Sequence, residues 1–244
     1  MLKKFNEMES NKKITIVVTI AVLLIIAILC FAYFRNQNSS FSNLKVDRKK
    51  ALVYTSESKK NSIFYRNVPY LNIKDNYAKE VNEDINLFVS DFIDNEKAIV
   101  SYEYNINGEV LSLIIKAVDY DIENVPEVYF RSYNINLKEK SIISDEQLLS
   151  NFNITSDDVN TIIEKKFMDW YQDIVKKGYF DENECDYDCF LEYRDVDDYL
   201  EGVSYYIEKG NLIAYKPFVF YSVYGEEEYF KEKDFKFIIV KRES

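Results

Sequence analysis

The sequence predicts an α+β protein: one N-terminal transmembrane helix, followed by antiparallel hairpins forming a sheet that helices cover on one face. Three features carry this expectation. Ile14 to Phe34 runs without a charge, proline or glycine. Two later segments repeat apolar residues at steps of three and four, the period of a helix with one buried face. Between and after them, stretches of alternating apolar and polar residues flank glycine-containing turns, the signature of hairpins.

Taken in order, residues 1–13 form a basic tail expected to be cytoplasmic, and residues 14–34 the membrane helix. At about 1.5 Å per residue such a run spans roughly 30 Å, the thickness of a bilayer core. A cleavable signal peptide has a shorter apolar core and a small-residue cleavage site; here the run continues through Phe31, Tyr33 and Phe34, and bulky Leu29 before Cys30 argues against lipoprotein processing. Lys3, Lys4, Lys12 and Lys13 balance Arg35, Lys45, Arg48 and Lys49. An inside N-terminus is still expected, because a long following domain translocates largely regardless of its charges.

Residues 35–49, rich in Ser and Asn, read as a stalk. A small α+β domain is expected over 50–124 and a second over 125–241. In the first, Tyr77, Val81, Ile85, Phe88 and Phe92 form a helix stripe, and Asp75 is placed to cap it. Val100 to Ile106 alternates, Asn107-Gly108 fits a type I′ turn, and Val110 to Val118 is apolar on both faces, as a central strand is. Val128 to Leu137 reads as a third strand. In the second domain, Ser144 and Gln147 have capping-box spacing. A longer helix with the stripe Val159, Ile163, Phe167, Trp170 and Ile174 starts after Thr155 and ends at Lys176, Lys177 and Gly178. Strands then follow at Val203 to Ile207, after a Gly210-Asn211 turn at Leu212 to Tyr221, and at Phe235 to Val240.

Composition narrows the chemistry. The 244 residues contain no histidine, which excludes Ser-His-Asp and Cys-His catalysis and His-ligated zinc or haem. The net charge of −11 repels nucleic acid phosphates and suits a cationic partner.

The stretch Tyr133-Asn134-Ile135-Asn136-Leu137, a turn at Lys138 to Lys140, and Ile142 to Leu149 resembles the strand, turn and short helix that open the RsiV-like C-terminal domain. Tyr205 to Tyr215 resembles its hairpin, and residues about 65 to 120 are similar to the small domain of unknown function that accompanies it. The resemblance implies an extracytoplasmic module of bacterial envelope proteins. Such modules lie outside the membrane helix of RsiV-type anti-sigma factors and ahead of the catalytic domain of peptidoglycan deacetylases. Sigma-factor binding and deacetylation are not expected here, because residues 1–13 are too short for the former and the metal-binding histidines of the latter are missing.

Several residues are candidates for chemistry. Cys185 and Cys189 are the candidate disulfide outside the cytoplasm, worth roughly 2 kcal/mol in the chain-entropy model, with two free thiols the alternative. Asp181, Glu182, Glu184, Asp186 and Asp188 supply oxygen ligands but lack the glycine and terminal glutamate spacing of a calcium loop, so a solvated acidic loop is expected and no metal or cofactor. Glu226, Glu227 and Glu228 follow Gly225 as a hydrated turn. Of the 21 Tyr and 17 Phe, most fall on strand or helix core positions; Tyr199, Tyr224 and Tyr229 lie in less regular segments and are the candidate surface aromatics. The expected function is a membrane-anchored extracytoplasmic binding or sensor module without catalysis, taking a cationic protein such as a wall hydrolase, or a wall glycan. The alternatives are a carboxylate-dependent glycan hydrolase, which needs only two Asp/Glu side chains about 5 to 9.5 Å apart, and a structural subunit of an envelope complex.

Overall fold

β1 (Val53–Asn61) and β2 (Phe64–Leu71) pair as an antiparallel hairpin, ahead of the amphipathic helix that the Tyr77 to Phe92 stripe marks. The computed structural model describes residues 19, 44–47, 49–61, 63–120, 127–178, 186–192, 202–217 and 236–241. The chain divides into two compact units, Met1–Leu44 and Lys45–Ser244, and every element named below belongs to the second. β1 leaves no alternation signal because it is an edge strand: Thr55, Ser56, Glu57 and Ser58 are all exposed.

Helix α1 (Asn76–Ile93) carries the chain back so that β3 (Ala98–Asn107) runs parallel to β2. β4 (Val110–Asp119), β5 (Glu127–Asn136) and the short β6 (Ser141–Ile142) follow in antiparallel order, giving a six-stranded mixed sheet ordered β1 to β6. α2 (Asp145–Asn151), α3 (Ser156–Lys176) and α4 (Tyr187–Glu192) come next. A separate three-stranded antiparallel sheet is built from β7 (Ser204–Glu208), β8 (Asn211–Tyr215) and β9 (Lys236–Val240).

Packing follows strand alternation. β4 is central and buried on both faces. Its Leu113 and Ile115 lie opposite Tyr133 and Arg131 of β5, which reach Asp84 on α1, so α1 covers that face. On the other face Ile114 packs with Tyr206, Ile213 and Tyr215 of the second sheet. The opposite side of that sheet, Tyr205, Ile207, Leu212, Ala214 and Phe237, meets α3 through Val159, Ile163, Phe167, Tyr171 and Ile174. The layers therefore run helix, mixed sheet, small sheet, helix.

This corrects the predicted fold class. The main sheet is mixed because a helical crossover returns the chain to the end of the sheet it left, and each sheet has a helix on one face and the other sheet on the second. Among the described residues no helix is long and apolar enough to cross a membrane; Ile14 to Phe34, apart from Thr19, lies outside them.

Local chemistry explains the helix ends. Ser144 with Gln147 and Thr155 with Asp158 both form complete capping boxes. Asp75 stands at the N-cap of α1 without a side-chain cap and meets Lys140 at 3.3 Å instead. The buried stripes are turned relative to the predicted ones: α1 buries Ala78, Asn82 and Val89 with Val81, Ile85 and Phe92, and α3 buries Tyr171, while half-buried Trp170 packs edge-on against Phe167 and Phe190.

The two sheets are joined by a buried polar seam. In the antiparallel ladder, alternate residues turn their backbone groups away from the neighbouring strand, and in β7 these are Tyr205 and Ile207. The Ile207 N–H donates to Ser112 Oγ at 2.9 Å, Asn134 Nδ2 donates to the Tyr205 carbonyl at 2.9 Å, and Asn107 Nδ2 donates to the Ile207 carbonyl at 3.1 Å. Ser112 Oγ in turn donates to Asn134 Oδ1, and the Gly210 N–H donates to Asn107 Oδ1 at 2.8 Å. Asn107 thus pairs with Val110 as a strand residue rather than serving as a turn centre, and Gly108 alone supplies the positive φ, +59°. The second hairpin turns on Lys209 and Gly210, at φ of 51° and 85°.

Leaving a buried backbone group unpaired costs about 1–3 kcal/mol. Asn134→Ala and Ser112→Ala are each expected to destabilise the protein by about that amount, and the double variant by clearly less than the sum, since the two side chains share one network. Urea titration of the three variants checks this; additive losses below about 0.5 kcal/mol each would contradict it.

Candidate functional site

The parallel pairing of β2 and β3 is held by one in-register pair, Arg66 with Val100. Two sequence features stop the ladder from continuing. The next step would need the N–H of residue 69, a proline, which has none. The step after would need the Leu71 N–H, which is donated to Asn82 Oδ1 at 2.7 Å, while Asn82 Nδ2 returns a bond to the Leu71 carbonyl at 3.0 Å. The strands therefore part, and a groove of about 620 Å³ opens between them.

One wall is Tyr65 and Asn67 of β2 with Thr55 of β1; the floor is the consecutive run Ser101 to Asn105 of β3; the far wall is Tyr206, Glu208 and Lys209 of the β7–β8 hairpin. Five consecutive strand residues can line one groove only if it follows the strand's edge, because a face exposes every second residue. Tyr65 and Tyr104 are exposed, and Tyr102 OH lies 2.9 Å from Thr55 Oγ1. Tyr206 is buried, and burial, with the charges of Glu103, Tyr215 and Glu208, pushes its phenol well above the usual tyrosine range. It keeps its proton and can act as a hydrogen-bond donor at neutral pH. Glu103 is exposed on the floor, and Glu208 is ion-paired with Lys236 at 2.8 Å. The groove thus offers tyrosine rings, amides and carboxylates, the inventory of a polar recognition surface.

A second hollow of about 460 Å³ lies where α1, β5 and the start of β7 meet. Three of its groups are bonded to one another, while Glu80 and Asp145 line it as well, and burial followed by the charge of Glu146 raises the Asp145 carboxyl. Arg131 Nε and Nη2 reach the two Asp84 carboxylate oxygens at 3.0 and 2.9 Å, and the Tyr133 hydroxyl donates to Asp84 Oδ2 at 2.7 Å. Burial first and Asp84 second raise the Tyr133 phenol. This bidentate cluster ties α1 to the sheet.

None of the residues singled out from sequence is among the described residues that line the groove. Cys189 is on α4 and is disulfide-bonded, and Cys185 lies outside the described residues. Tyr199, Tyr224, Tyr229, Asp181, Glu182, Glu184 and Glu226 to Glu228 also lie outside them. Of the acidic run, Asp186 Oδ1 accepts the Cys189 N–H at 3.0 Å, serving the start of α4. Sequence reasoning missed Tyr65, Glu103 and Tyr104 because it had no β2 against which β3 could open; the available signal was Pro69 inside an alternating stretch, since proline sits where a ladder bond is missing.

Burial holds the phenols of Tyr77 and Tyr205 up at about 12, and a hydrogen bond to Glu127 followed by burial does the same for Tyr129. A phenol raised in the folded state contributes stability that is complete below its unfolded value near 10 and is lost as pH climbs through the folded one. Absorbance at 295 nm should therefore rise in two phases, the second near pH 12 together with loss of near-ultraviolet circular dichroism; a single transition near 10 would contradict the burial of these groups. No family model matches the chain, and no curated protein matches it.

Proposed function

We propose that this chain is a non-catalytic binding module whose ligand, a protein segment or a wall glycan, seats in the groove between β2 and β3. The observation that carries the reading is the groove itself: an open channel lined by tyrosines, asparagines and carboxylates along a strand edge. Catalysis by paired carboxylates asks one of them to be protonated in an apolar setting while the other is ionised. Exposed Glu103 and ion-paired Glu208 do not have that setting, which favours binding over hydrolysis.

An extracytoplasmic site of action is part of the proposal. The disulfide at Cys189 supports it, since such bonds persist in oxidising compartments. Kinship with the RsiV-like domain is likewise proposed. In its support, the strand, turn and short helix expected over 133–149 and the hairpin expected over 205–215 are present as β5, β6, α2, β7 and β8.

Titrating the full chain with solubilised wall glycan fragments and, separately, with a lysine-rich protein tests the reading. Saturable binding of at least one is expected, weakened about tenfold, or about 1.4 kcal/mol, in the Tyr65→Ala/Tyr104→Ala variant. Sustained release of reducing ends that disappears in Glu103→Gln would establish the hydrolase instead.

A further inference from the structure

The ladder between β3 and β4 fixes which backbone groups of β3 point into the groove. Asn107 and Val110 close the tight hairpin, so Asn107, Asn105, Glu103 and Ser101 turn their backbone groups toward β4. Tyr102, Tyr104 and Ile106 turn theirs the other way. Val100, on the same alternation, meets β2 through its pair with Arg66. Beyond that pair β2 withdraws its donors: residue 69 is proline and the Leu71 N–H is held by Asn82. Among the described residues, the outer edge of β3 from Tyr104 to Ile106 thus has no partner strand, and it continues the line of the groove's floor.

Open edges are normally guarded. β1 carries Glu57, Lys59 and Lys60 and a bulge between Thr55 and Glu57. The free side of β7 is occupied by Asn107, Ser112 and Asn134. β3 has Tyr104 and Ile106 at this edge, 40% and 38% exposed.

We propose that the outer edge of β3 receives an extended peptide segment of a protein partner by strand addition, with lysine or arginine at alternate positions and apolar residues between them. This names the ligand class for the groove and rests on the binding reading given above. The backbone term comes from Tyr104 and Ile106. The side-chain pattern comes from strand alternation: Glu103 projects to one face and Tyr104 and Ile106 to the other, so an added strand meets a carboxylate on one side and apolar surface on the other. Glu208 is held by Lys236, which leaves Glu103 to receive the cation, and the net charge of −11 draws a basic partner in.

The probe is a six-residue peptide alternating lysine and valine, compared with its fully N-methylated counterpart, which has the same charge and side chains but cannot pair as a strand. With the full chain, the unmodified peptide should bind and slow amide exchange at Tyr104 and Ile106 at least tenfold while leaving Glu103 and Asn105 unchanged. N-methylation should weaken binding at least tenfold. Tyr104→Pro removes an outward N–H without touching the ladder to β4 and should do the same; Glu103→Lys serves as a second variant that keeps the backbone intact, and should also weaken binding tenfold.

Equal binding of the methylated peptide would overturn strand addition while leaving the groove a binding site. Binding of wall fragments with neither peptide bound would do likewise. Loss of every ligand would remove both readings. Concentration-dependent protection of Tyr104 and Ile106 in the chain alone would place a second copy at this edge and overturn the proposal.

Discussion

Two sheets meet in this protein through hydrogen bonds that side chains make to a strand edge. β7 belongs to the small sheet and, among the described residues, has β8 on one side only. Its other side would be a row of bare amides and carbonyls in the interior, and an unpaired buried backbone group is among the costlier defects a fold can contain. Asn107, Ser112 and Asn134, all on the face of the main sheet that α1 leaves uncovered, stand in for the missing strand. The apolar contacts around the seam, Ile114 and Phe130 against Tyr206, Ile213 and Tyr215, can close only because these polar atoms are satisfied. The main sheet therefore carries polar residues at the centre of a buried face, where burial alone would favour aliphatic ones.

The same accounting of backbone groups separates structural edges from the groove. At β7 the edge is filled, at β1 it is blocked by charge and a bulge, and at Leu71 it is capped by Asn82. At β3 the partner strand is present at Arg66 and then turns away, because proline interrupts it and a helix side chain claims the next donor. The groove is a direct result of that early parting of two parallel strands. Its chemistry comes from whatever β2, β3 and the β7–β8 hairpin happen to carry toward it: tyrosines, amides and two glutamates in different electrostatic settings.

Much of the secondary structure was readable. The capping boxes at Ser144 and Thr155 were legible because both partners lie within one turn, so spacing alone specifies them. The helices were legible from their period, although the centre of each stripe was displaced: Tyr77 and Phe88 are only half-buried, while Ala78, Asn82 and Val89 face inward. Hydrophobicity marks a face only coarsely, and a small alanine or a hydrogen-bonded asparagine can occupy its middle. β1 was not legible, since an exposed polar edge strand has no buried side to generate alternation. Asn107 shows how local reasoning misassigns a residue. Asn-Gly is a good turn signal, but here the glycine does the turning and the asparagine's amide is used by a hairpin far along the chain.

By itself the sequence determined most of the α and β segments, the capping boxes at Ser144 and Thr155, the central position of β4 and an acidic, histidine-free chemistry, because each of these depends on neighbours within a few residues or on composition alone. Only the tertiary structure decided that β3 runs parallel to β2, that the strands form two sheets rather than one, that Asn107, Ser112 and Asn134 join them, and that an edge of β3 has no partner strand among the described residues. Those outcomes depend on which backbone donors find acceptors across separations such as the 71 residues between Asn134 and Tyr205, and no local pattern records that choice.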